Sequence, residues 1–261
     1  MNYKTFKLLE QYSECIHGFT YKNGGIVDLP FGNQHMGLLS FHYQDEAWEN
    51  IKHLIQTLDT DVKPKTLVFT EQIHQDHLVN FESADFEKTV RDGYDVHIIK
   101  STDGVFTTQT KTLLMTFYAD CTPIFFYDPI LRVIGMVHSG WKGTNLKIAN
   151  QGIAFMTKTY GSRISDLKVV IGPAASACCY EVDQEVYEQF VEYPHCFKPS
   201  KEGHYLMDMK RVIYDDLIQT GLLDSQIEVS EDCTICQSEA YFSHRRDHGD
   251  TGRMAAFISM Q

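Results

Sequence analysis

The sequence predicts an α+β fold, and three observations carry that prediction. Short apolar or β-branched runs recur through the middle of the chain, helix-period patterns stand apart from them, and the two do not alternate in the regular βαβ order of a doubly wound parallel sheet. The first helix is expected over residues 45–58, where Trp48, Ile51, Leu54, Ile55 and Leu58 share one face. Strands follow at residues 67–70, 104–107, 112–118, 124–127 and 132–137, separated by turn-forming residues, and 70–79 reads as extended. Thr144 suits the N-cap of a second helix that ends before Gly161, a suitable residue just past a C-terminus. A further strand at 167–171 runs into Gly172-Pro173. Helices near 184–190 and 209–220, the second closed by Gly221, precede strands at 227–230 and 255–260. No repeat or linker divides the 261 residues, so a single domain over 1–261 is expected.

Hydrophobic residues make up 43% and charged residues 22%, which suits a packed core and excludes a disordered or fibrous chain. The formal net charge is -12, and a broad nucleic-acid or anionic-membrane surface would need clustered positive charge instead. The expected partners are therefore small molecules, and an anionic substrate must be captured by a few local arginines or lysines. The first residues, MNYKTFKLLEQYSEC, lack the apolar core of a signal peptide. The most apolar region, 113–127, is interrupted by Asp120 and Pro123, so no membrane span is expected and the cytoplasm is the expected location. Seven cysteines do not form a secreted disulfide pattern; in a reducing compartment they are buried, metal-bound or catalytic. Oligomeric state leaves no signal in the sequence.

Three segments place a metal-ligand type beside a strand end: Glu71-Gln72-Ile73-His74, Ala119-Asp120-Cys121-Thr122-Pro123 and Val137-His138-Ser139-Gly140-Trp141. Cys121 follows one apolar run and His138 another, so neighbouring strands would deliver both to one rim. Two imidazoles and a thiolate suit zinc, and three protein ligands leave a fourth position open, as catalytic zinc sites do. Spacing alone leaves the bland alternative standing: Cys121 as a core thiol and the histidines as ordinary polar residues.

The segments 119–124, His138-Ser139-Gly140-Trp141-Lys142-Gly143-Thr144 and Ile171-Gly172-Pro173 with Cys178-Cys179-Tyr180-Glu181-Val182 resemble the signature blocks of the YfiH/YlmD family of laccase-domain proteins. Tyr241-Phe242-Ser243-His244-Arg245-Arg246-Asp247 and Thr251-Gly252-Arg253-Met254-Ala255 resemble that family's final blocks, and the matches run in order over nearly the whole chain. The resemblance implies mixed β-sheets packed as a central sandwich flanked by helices, with zinc on His74, Cys121 and His138. It also implies phosphorolysis of adenosine, inosine, guanosine and methylthioadenosine, with adenosine deamination as a further activity. Three departures fall in the first half of the chain. Lys22 stands where the family has arginine, keeping charge but losing the bidentate fork; Gln75 replaces a glycine; and 36–40 reads Met-Gly-Leu-Leu-Ser.

Phosphorolysis needs groups that hold an anion and groups that stabilise a departing base. Arg245 and Asp120 are the expected catalytic residues, and Lys22, Arg246, Arg253 and Tyr180 the expected substrate or phosphate contacts. Asp120 is alternatively a residue that steadies a turn, and Asp103, in Thr102-Asp103-Gly104, reads as a turn residue. His77 ranks behind the three ligands. A cysteine hydrolase with Cys121 as nucleophile and His138 as base is the main rival; an editing factor for cell-wall precursors is another. A copper polyphenol oxidase is disfavoured, because none of the 12 histidines forms a His-x-His pair. Cys233-Thr234-Ile235-Cys236 is one pair, too few to close a tetrahedral site, and with Cys178-Cys179 it is expected to serve packing and backbone shape.

Overall fold

Strict alternation along the central strands decides the architecture. In Thr122–Asp128, Ile124 and Phe126 belong to one apolar cluster, while Phe125 and Tyr127 belong to another. In Thr112–Tyr118, Leu114 and Tyr118 share that second cluster, while Leu113, Met115 and Phe117 turn to a third. Strands buried on both faces must be inner layers. The computed structural model, which describes residues 1–40 and 42–261, has that form.

Among the described residues, one sheet runs in the order Tyr3–Lys4, Cys15–Thr20, Met254–Met260, Thr112–Tyr118, Thr66–Thr70, Tyr94–Ile99 and Glu87–Arg91. A second runs Ile227–Val229, Lys168–Ile171, Thr122–Asp128, Val133–Ser139, Gly104–Thr107 and Leu78–Asn80. Both mix parallel and antiparallel pairs. The second cluster is shared between the two sheets. The helix Gln44–Thr57 covers the outer face of the first sheet through Trp48, Ile51, Leu54 and Ile55. Helices Ile148–Tyr160 and Met209–Gln219 cover the outer face of the second. A small sheet of Glu181–Asp183, His204–Met207 and Phe197–Pro199 stands beside them. The expected α+β class, with a central sandwich flanked by helices, is what the chain forms.

Three local expectations change. Thr144 does not cap a helix: it lies within Trp141–Asn145, where its hydroxyl donates to the Gly140 carbonyl and pairs with the Ser139 hydroxyl. The long helix begins after Lys147, whose φ of 56° breaks the run, and it closes on Gly161 at φ 77° as expected. Residues 70–79 are not extended throughout, because His74 adopts φ 60° and turns the chain before Leu78–Asn80 resumes. Strands Glu87–Arg91 and Tyr94–Ile99 carried no usable sequence signal; the first is an exposed edge strand without apolar alternation.

Each of the links 71–77, 100–103 and 119–121 carries the chain from the first sheet to the second. They leave Thr70, Ile99 and Tyr118 and enter Leu78, Gly104 and Thr122. Pairing of Gly104 with Leu78 and Val137, and of Thr122 with Ser139, brings all three crossings to one end of the sandwich.

His35 lies in the loop region ahead of the first long helix and is 2% exposed. The Arg253 backbone N–H donates to its Nδ1 at 3.0 Å. Burial, reinforced by the Arg253 charge, pulls its pKa down to about 4. The folded chain thus keeps His35 neutral while the unfolded chain protonates it near 6.5. Stability is complete above pH 6.5 and falls as pH drops toward 4, by roughly 3 kcal/mol for this group. Denaturant unfolding between pH 7 and 4 should show that loss, and His35→Asn, which keeps an acceptor but cannot charge, should flatten the slope.

Candidate metal centre

Cys121 occupies the short link between Thr112–Tyr118 and Thr122–Asp128, and His138 lies near the end of Val133–Ser139, which pairs with the strand that Cys121 enters. His74 sits on the turn between Thr66–Thr70 and Leu78–Asn80. One donor atom from each lies within 4.8 Å of the other two. The His74 and His138 rings meet edge-on with centroids 4.7 Å apart. Neighbouring strands do deliver Cys121 and His138 together, although Cys121 works from the start of one strand rather than the end of another. A Cβ added at Gly140 would lie 3.2 Å from Cys121 Sγ and 3.3 Å from His74 Cδ2, so glycine there keeps the space beside the donors open.

Asp103 organises this end of the molecule. Its carboxylate is fully buried, with Oδ1 2.8 Å from His138 Nδ1. It also accepts the backbone N–H groups of His74 at 3.0 Å and Gln75 at 2.7 Å, which holds the turn at φ 60°. A carboxylate can only accept, so Nδ1 of His138 donates to it and Nε2 is the nitrogen left for a metal. Desolvation raises the Asp103 pKa, but the His138 bond and the two N–H donors outweigh it and the net shift is downward. Burial would likewise raise the Cys121 thiol; the neighbouring His138 and His74 overcome this and bring it down to about 6. Burial would lower His138, yet the Cys121 charge and the Asp103 bond lift it to about 9. Without metal, both shifts run toward a thiolate beside an imidazolium. Those are the charges a divalent cation would meet, with one proton to displace.

Two lobes of one cleft flank the trio and share His74, Ala119, Cys121 and His244. The first, about 390 Å³, is lined by Trp141, Tyr180, Met209 and Arg245. The second, about 680 Å³, is lined by His35, Glu71, Thr251 and Arg253. In the first lobe Tyr180 is buried, with Arg245 lying over its ring at 5.2 Å. Arg253 anchors Nη1 on the Thr251 and Gly252 carbonyls.

The remaining candidates are placed elsewhere or otherwise employed. Asp120 borders the first lobe, but its carboxylate accepts from the Thr234 and Ser243 hydroxyls and the Arg245 backbone N–H. Those bonds accord with the alternative expected of it, a residue that steadies a turn, here 243–245. Arg246 is consumed by a two-point pair with Asp247 and by the carbonyls of Thr234, Ile235 and Tyr241, so it has no fork left for phosphate. Lys22 lines neither lobe, and its backbone pairs with Ala240 and Gln34. His77 Nδ1 bonds the Ser101 carbonyl and the Thr102 hydroxyl, away from the trio. Sequence reasoning missed His244 and underrated Asp103. The rule that a ligating histidine wants a carboxylate behind it could have raised Asp103 above an ordinary turn residue.

The layered sheets are those of a laccase domain, and the His2Cys set at their junction is a candidate metal site. A family model described as multi-copper polyphenol oxidoreductase laccase matches residues 16–261, and the chain belongs to that family. It is 34% identical over 252 residues to purine nucleoside phosphorylase YlmD of Bacillus subtilis, covering 95% of this chain and 89% of that protein. The structure of YfiH from Bacillus licheniformis superimposes with a TM-score of 0.85 at 36% identity, covering 97% of this chain and 95% of the other. YlmD from Geobacillus stearothermophilus does so with 0.84 at 31%, covering 96% and 93%. The YfiH/YlmD resemblance is thereby borne out.

Replacing Asp103 with Asn keeps the shape but removes the charge behind His138. Affinity for zinc, read by competition with a chromophoric chelator, should fall about 10- to 100-fold. In metal-free protein Cys121 should alkylate readily at pH 7, and zinc should block that reaction.

Proposed function

We propose that residues 1–261 act as one zinc-dependent domain that cleaves purine nucleosides with phosphate. The observation that carries this reading is the convergence of His74, Cys121 and His138 at the junction of the two cleft lobes. The reaction class comes from relatives named purine nucleoside phosphorylases. Adenosine, inosine, guanosine and methylthioadenosine are the substrates in this reading, with adenosine deamination as a further activity of the same cleft. Two imidazoles and a low-pKa thiol fit zinc, which when bound would supply Lewis-acid charge at the position three protein donors leave open. Seven free cysteines accord with a reducing cytoplasm.

In phosphorolysis a phosphate oxygen bonds to C1′ of the ribose while the C1′–N9 bond breaks. The electron pair of that bond leaves with the purine, which takes up a proton on a ring nitrogen. Trp141 and Tyr180 offer flat faces for the base in the first lobe, and Arg245 backs Tyr180. Arg253, partly buried and permanently charged, holds the phosphate in the second lobe, where weak hydration strengthens its bonds. His244 borders both lobes and is the group placed to protonate the leaving base. Asp120 holds the turn that carries His244 and Arg245.

One observation favours a second reading. Without metal, Cys121, His138 and Asp103 have the order of a nucleophile, its base and an orienting carboxylate. His74, drawn into the same donor set, tips the balance toward metal. Copper(II) outcompetes zinc at such donors, so phenol oxidation would report a site loaded with the other metal.

Incubation with inosine and phosphate should release hypoxanthine and ribose 1-phosphate, and omission of phosphate should stop it. Arg253→Ala should raise the KM for phosphate about 10- to 100-fold with a smaller change in kcat. His244→Ala should lower kcat about 100-fold or more. Full activity after chelation or in Cys121→Ala would overturn the zinc reading.

A further inference from the structure

A second donor cluster lies outside the cleft. Cys178 and Cys179 follow the loop after Lys168–Ile171, and Cys233 and Cys236 follow Ile227–Val229. These two strands are parallel neighbours, with Val169, Val170 and Ile171 opposite Ile227, Glu228 and Val229. Their trailing loops therefore leave the sheet side by side. A bridge between Ala174 and Cys233, and the Thr234 N–H donating to the Ala174 carbonyl, keep them together. As a result all four sulfurs lie within 4.8 Å of one another, although neither pair alone could close a site.

We propose that Cys178, Cys179, Cys233 and Cys236 bind a second, structural zinc ion as a tetrahedral four-thiolate site. A tetrahedron with zinc–sulfur bonds of about 2.3 Å has sulfur–sulfur edges of about 3.8 Å. Cys178 Sγ and Cys236 Sγ already stand 3.7 Å apart, a zinc-tetrahedron edge and far beyond a disulfide bond of about 2.05 Å. Four thiolates on zinc carry two net negative charges. Lys210, 5% exposed, donates to the Ser230 and Asp232 carbonyls at the foot of the 231–236 loop, where it offsets part of that charge.

The position of the cluster gives the ion a task. Cys179 adjoins Tyr180, which lines the cleft. Thr234, between the other two ligands, donates to Asp120, and the Thr234 and Ile235 carbonyls hold Arg246. An ion here would tie the loop bearing Tyr180 to the loop that steadies Asp120 and the 243–246 turn.

Metal analysis of protein purified without added metal or chelator should find two zinc ions per chain. Cys121→Ala and Cys236→Ser should each retain one, and the double variant none. In a Cys121→Ala background, cobalt(II) should produce thiolate-to-metal charge transfer in the near ultraviolet and tetrahedral ligand-field bands, both lost on adding Cys236→Ser. If Cys236→Ser does not fold, thiol mapping of the native chain decides: these four cysteines should resist alkylation until a chelator is added. A single zinc unaffected by Cys236→Ser, immediate alkylation of the four, or a Cys178–Cys236 disulfide in protein kept from air would overturn the proposal. Because the counts are taken separately in Cys121→Ala and Cys236→Ser, failure here leaves the cleft ion untouched, and the reverse.

Discussion

The buried carboxylate of Asp103 is the constraint on which this end of the molecule depends. It holds His138 through Nδ1 and fixes the His74 turn through two backbone N–H groups. Through its own carbonyl it also accepts the His138 backbone N–H at 2.7 Å. One residue therefore sets the orientation of one ligand and the backbone of another. A charge with 0% exposure is tolerable only because every donor around it is accounted for. The unfavourable φ of His74 persists for the same reason: two N–H bonds over-determine it.

How much of this was readable before the fold was known differs between the layers and the cleft. The central strands were legible because burial on both faces leaves continuous apolar runs, as in residues 112–118 and 124–127. The helix 44–57 was legible from its one-sided apolar stripe. The strand 87–91 was not, because an exposed edge needs no apolar side chains. The three candidate ligands were legible by type, since two histidines and a cysteine beside strand ends limit the chemistry. Their partner was hidden: Asp103 before a glycine has the appearance of any turn, and only the third dimension puts it behind His138. Arg246 was misjudged for a related reason. Sequence supplies its charge but not the carbonyls and carboxylate that consume it.

The cleft owes its asymmetry to the same crossings. Trp141, Tyr180 and Met209 border one lobe together with Lys142 and Arg245, whereas Phe31, Tyr43, His35, Thr251 and Arg253 border the other. In a chain of net charge -12, the few cations beside the donors, Arg253 in one lobe and Lys142 and Arg245 in the other, count for more than they would on a basic protein.

The strand Met254–Met260 lies between Cys15–Thr20 and Thr112–Tyr118, joining segments that are far apart along the chain. Until it is inserted, the first sheet is two separate pieces, each presenting an open, apolar edge. Contacts of such high sequence separation form late and slowly. During synthesis the nascent chain must therefore carry those edges unpaired until residue 260 has emerged, which makes this stretch of its life the most exposed to aggregation and the one in which a chaperone would matter most.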